Sequence, residues 1–161
     1  MKSLPIALIL LLTACNKDTM TIDYASPSNL KQICQTLTHA PDTKSLTATL
    51  GARSDDLDEP PAALPESLAD LRVGSVGEHE ESLWVKLTYT PTQQPTMSAL
   101  EHELGPHRPA APDDDSFHSV GQFTVETDGK PCIVFAYTQD MYADIPSSAA
   151  VMSVLMVYDR P

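Results

Sequence analysis

The stretch Val120 to Thr138 (VGQFTVETDGKPCIVFAYT) decides the fold. Val120 to Glu126 and Cys132 to Thr138 are strand-like runs, and Asp128-Gly129 between them is a strong short-range turn signal. Together they predict a β-hairpin. Pro131 stands where the second strand begins, a position that a strand tolerates. Upstream, Leu83, Val85, Leu87 and Tyr89 alternate with Trp84, Lys86, Thr88 and Thr90, the period of a half-buried strand that Pro91 ends. Downstream, Ala149 to Tyr158 (AAVMSVLMVY) is an apolar run suited to a strand buried on both faces or covered by a helix.

Helical periodicity flanks these runs. Ser26-Pro27 reads as a helix start, and Leu30, Ile33, Cys34 and Leu37 then recur on one face as far as about His39. Met97, Leu100 and Leu104 mark a short helix stopped by Gly105-Pro106. In Thr43 to Leu50, Leu46, Ala48 and Leu50 alternate with threonines, which suits a strand, with a short helical turn as the alternative. Residues 51–81 concentrate acids and prolines, from Asp55, Asp56, Asp58 and Glu59 to Glu81, and predict a surface excursion with one short helix near Glu66 to Leu71. Residues 106–117 read as a Pro- and Asp-rich loop. The expectation is an α+β domain. It has a mainly antiparallel sheet of about four strands, an N-terminal amphipathic helix and one or two short helices.

The N-terminus speaks to location. Lys2 precedes a short apolar run, Leu4 to Leu12, followed by Leu12-Thr13-Ala14-Cys15. The run is far shorter than the ~20 residues of a membrane-spanning helix. It resembles the signal peptide and lipobox of bacterial lipoproteins. The resemblance implies that residues 1–14 are removed and that Cys15 carries acyl chains such as palmitate. Residues 15–25 then form a lipidated tether, and residues 26–161 form a single domain. Two or three chains anchor stably, at about 0.8 kcal/mol per buried methylene, where one chain binds only marginally. Asn16, in place of the aspartate typical of inner-membrane retention, points to the periplasm-facing side of the outer membrane.

Composition narrows the partners. The chain has 161 residues and a net charge of −12, which becomes −13 once the Lys2-containing leader is gone. A surface of this sign repels nucleic acid and anionic headgroups, and it steers cationic partners. With Cys15 committed to lipid, Cys34 and Cys132 remain, and an exported chain with an even remainder predicts a disulfide between them.

Chemistry-bearing motifs are weak by comparison. His102, His107, Asp113, Asp114, Asp115 and His118 are metal-ligating types, but the Gly105-Pro106 break separates the first two and no zinc-site spacing occurs. They read as a solvated acidic loop. Ser147-Ser148 has no catalytic signature around it. No enzyme, metal or cofactor is expected. The expected function is protein binding. In composition, location and size the chain is similar to acidic lipoproteins that act as immunity proteins or inhibitors of cationic wall-degrading enzymes. Occlusion would use acidic residues such as Asp55, Asp56, Asp58, Glu59 and Asp113 to Asp115. The alternative is an assembly lipoprotein docking on outer-membrane proteins through a sheet edge or through Trp84, the only tryptophan.

Overall fold

The computed structural model describes residues 23–24, 26–54, 64–110 and 118–161. Three helices lie along the described chain: α1 (Ser28–His39), α2 (Thr43–Leu50) and α3 (Met97–Leu104). The strands are β1 (Arg53–Ser54), β2 (Leu68–Val76), β3 (Ser82–Tyr89), β4 (Arg108–Ala110), β5 (Val120–Thr127), β6 (Lys130–Thr138) and β7 (Val151–Asp159). They form one sheet in the order β1-β2-β3-β7-β6-β5-β4. Every pairing is antiparallel except that of the two-residue β1 with β2.

The last strand is central. β7 inserts between β3 and β6, with Val85 opposite Met156 and Met156 opposite Val134. One face of the sheet presents Leu71, Val73, Leu83, Val85, Leu87, Phe123, Val134, Val154 and Met156, all buried. Against it pack Leu30, Ile33 and Leu37 of α1, Leu46 and Leu50 of α2, and Met97 and Leu100 of α3, in one core cluster. Cys34 and Cys132 are bonded, with Cα atoms 5.8 Å apart, so α1 is tied covalently to β6.

Several expectations need correction. The sheet has seven strands, not about four, because β1, β2 and β4 come from segments that read as uncertain or as loop. Residues 66–71 are not helical. The spacing of Leu68 and Leu71 suits a helix turn, but long-range pairing of Leu68–Val76 with β3 prevails, and it brings Leu68, Leu71 and Val73 into the core. Residues 51–81 are therefore not a surface excursion throughout, since β2 is an interior strand of the sheet. Thr43–Leu50, which suits a strand or a short helical turn by its spacing, is a helix. Asp42 Oδ1 accepts the Ser45 N–H at 2.7 Å, and Gly51, at φ 63°, closes the helix in the left-handed region. Leu46 and Leu50, four apart, share the buried side. Within 106–117, Arg108–Ala110 adds a short edge strand against Val120–Gln122.

Candidate functional site

The helices cover one face of the sheet, and no described helix covers the other. Strand alternation places a second apolar set on that open face, because β6 and β7 are apolar in both phases. Across the strands run two registered rows. One is Gly74, Trp84, Val157, Ile133 and Thr124, and the next is Arg72, Lys86, Leu155, Phe135 and Gln122. Thr88, Ser153 and Tyr137 begin a third. Trp84, Ile133, Phe135, Tyr137, Leu155 and Val157 are each half-buried. They pack on one another across strands at the 4.5–5.5 Å spacing of facing side chains, about what an antiparallel ladder imposes.

Trp84 anchors one end of this patch, and Gly74 makes its position possible. A methyl group at Gly74 would stand 2.4 Å from Trp84 Cζ2 and 2.6 Å from Cε2, so the indole lies over bare backbone of β2. The indole is half-buried there.

The charges around the patch are mixed. Arg72 Nε donates to Asp70 Oδ2 at 2.6 Å, and Asp70 Oδ1 also accepts the Leu71 N–H. Lys86 is exposed beside Leu155. Asp159 accepts a hydrogen bond from Ser82 Oγ at the far margin. The face itself therefore does not repeat the strong acidity of the whole chain.

The residues singled out from the sequence fare differently. Trp84 lies in the open-face patch. Cys34 and Cys132 form the disulfide on the opposite side of the sheet. Cys15, Asp55, Asp56, Asp58, Glu59, Asp113, Asp114 and Asp115 lie outside the described residues. Of the histidines His102, His107 and His118, two meet at one cavity and His102 stands apart. His102 is exposed on α3, while His107 Nδ1 is 2.9 Å from Glu101 Oε1 and its ring is tilted against Phe123. His107 and His118 both line a cavity of about 440 Å³, together with Tyr142 and Ile145. Among the described residues no three His, Cys, Asp or Glu side chains are placed to hold a metal ion. No described helix is long and apolar enough to cross a membrane.

Sequence reasoning passed over Ile133, Phe135, Tyr137, Leu155, Val157 and Gly74. The signal was present in two places. The strands that became β6 and β7 carry apolar residues at both odd and even positions, and a glycine interrupts an otherwise strand-compatible run at Gly74. No protein-family model, no curated protein and no solved structure matches this chain.

Proposed function

We propose that this chain is a lipid-anchored protein-binding domain of the bacterial envelope, working through the open face of its sheet. The observation that supports the reading is the uncovered patch of Trp84, Ile133, Phe135, Tyr137, Leu155 and Val157. Aromatic and aliphatic side chains held rigidly at the centre of a face, with charges at the margin, have the make-up of an interface core. The acyl chains on Cys15 hold the domain at the periplasmic side of the outer membrane and leave this face to meet a second protein.

The partner is a cationic protein. The net charge of −12 attracts it over distances of about a Debye length and raises the rate of encounter, while the apolar patch sets the residence time. Binding of this kind occludes the partner's own working surface, which is the action of an inhibitor or immunity protein. The carboxylate-rich segments supply the steering field, and the Trp84 face supplies the contact.

The test is retention of basic envelope proteins on the immobilised protein, compared with Trp84→Ala and Leu155→Asp. The reading expects a basic protein that both substitutions release and that rising salt elutes. Trp84 is the only tryptophan, so its emission also shifts when the face is covered. Retention untouched by both substitutions overturns the assignment of the face. Retention lost in the variants but indifferent to salt replaces capture of a cationic partner with docking in envelope assembly.

A further inference from the structure

The opposite edge of the sheet carries a second feature. β4 pairs only with Val120, Gly121 and Gln122, so Phe123 to Thr127 of β5 has no described strand on its outer side. Continuing β4 backwards along this edge would need Pro106 and Gly105, but α3 ends there. Pro106 has no N–H to donate, and Gly105, at φ 91°, turns the chain away. The gap is about 17 Å long at the rise of an antiparallel strand.

The phase of this edge follows from the hairpin. Asp128 (φ 53°) and Gly129 (φ 75°) form a two-residue turn with both centres left-handed, so Thr127 and Lys130 are a hydrogen-bonded pair. Val125 and Phe123 then bond inward to β6, and the backbone N–H and C=O groups of Thr124 and Glu126 point outward. Beside them runs a groove of about 580 Å³. Lys31 and Gln35 of α1 form its far wall, Leu104 contributes apolar surface, and Glu126 and Asp128 lie on the strand side. The disulfide from Cys34 to Cys132 fixes the two walls, since Cys132 lies opposite Val125 in β6.

We propose that this groove receives an extended, basic segment of a partner protein, added to β5 as an antiparallel strand in line with β4. The outward main-chain groups of Thr124 and Glu126 call for a polypeptide backbone in extended form, because only that spacing offers alternate donors and acceptors along one edge. The charge balance selects basic side chains. On this edge the exposed acids Glu126 and Asp128 outnumber the exposed Lys31, and Asp128 is also 3.3 Å from His39. A second copy of this chain is disfavoured, since edge-to-edge pairing would bring two Glu126 carboxylates and two net charges of −12 together. The site adjoins the Trp84 face at Thr124 but uses the main chain of the β5 edge, not the apolar patch, and so does not depend on it.

The test uses the full chain in detergent and an acetylated, amidated peptide of sequence Lys-Val-Thr-Val-Lys-Val. Amide hydrogen exchange at Thr124 and Glu126 should slow by about ten-fold or more on saturation, with shifts clustered along α1 and β5. Thr124→Pro removes an outward N–H and leaves the bonds of β5 to β6 intact, so it should weaken peptide binding by at least about ten-fold. A peptide N-methylated at alternate residues should fail to bind the unaltered protein, which keeps the test independent of how the variant folds. Leu155→Asp, on β7 and so two strands away from this edge, should leave peptide binding unchanged. Equal binding of the N-methylated peptide, or unchanged exchange at saturation, overturns the proposal. Protection already complete without peptide also overturns it: if it grows with protein concentration the occupant is a second copy, and if not, another segment of this chain.

Discussion

At Gly74 a single missing methyl group determines where the largest side chain of the open face can lie. Gly74→Ala places a Cβ 2.4 Å from Trp84 Cζ2, so the indole must swing off the sheet. The expected loss is about 1–3 kcal/mol of stability, as for other forced repacking. Urea unfolding gives the loss, and a red shift of Trp84 emission reports the displaced ring. Tyr89 offers the opposite case. Its ring is buried, and its hydroxyl has no hydrogen-bond partner among the described residues. Tyr89→Phe should therefore leave stability unchanged or raise it by about 1 kcal/mol. Burial, reinforced by the charge of Asp23, pushes the Tyr89 phenol well above its ordinary value of 10.0. In the unfolded chain the phenol ionises near that ordinary value, whereas in the fold it stays neutral. Its contribution is complete below about pH 10 and is lost as pH rises above it. Urea midpoints at about pH 9 and about pH 11 should diverge in the native protein, and less so in Tyr89→Phe. Both residues were visible in the sequence. That Tyr89 and Trp84 lie on opposite faces of the strand follows from alternation alone, but neither the openness of the Trp84 face nor the bare backbone awaiting the indole does. It required the register that sets Gly74 against Trp84.

Among the elements, α1 depends most on a distant one. Its apolar stripe seats Leu30, Ile33 and Leu37 in the core, and Cys34 adds a covalent bond to β6 across 98 residues of sequence. Closing so long a loop restricts the unfolded chain, and Cys34→Ser should lower stability by about 2–5 kcal/mol. Denaturant unfolding measures the loss, and thiol labelling of Cys132 in the partly unfolded variant identifies its cause. α2 depends on its ends. Hydrogen bonds from the backbone N–H and side chain of Ser45 hold the Asp42 carboxyl below its ordinary pKa, so the capped helix is favoured while that carboxyl is ionised. The contribution is present above the ordinary carboxylate range and is lost as pH falls through the lowered value. Asp42→Ala should speed amide exchange over residues 43–50 at neutral pH, and the difference from the native protein should shrink in acid. The ambiguity of this helix in the sequence has a local reason. Alternating Leu, Ala and Thr fit both periods, and only the cap at Asp42 and the stop at Gly51 separate them. The misreading of β2 has a non-local reason. Leu68 and Leu71 suit a helical turn until β3 offers a partner for the whole length of the strand.

At the scale of the molecule, the two surfaces proposed for binding, the Trp84 face and the β5 edge beside α1, belong to one sheet, and the proposed lipid on Cys15 would hold both near a membrane. Cys15→Ser should move the protein from the membrane fraction to the soluble fraction without altering its fold, which fractionation and circular dichroism together check. Local pattern sufficed for the antiparallel α+β character, the hairpin about Asp128-Gly129, the buried phase of β3, the apolar stripe of α1 and the pairing of two cysteines. These depend on period, turn chemistry and parity, all of which are local or countable. Long-range packing decided that the described residues form a seven-stranded sheet, that the last strand lies at its centre, that β2 is a strand, and that no described helix covers one face. Those outcomes turn on which distant segments meet. Two arrangements with the same local pattern differ only in long-range burial and backbone pairing, and neither is written in any short stretch of chain.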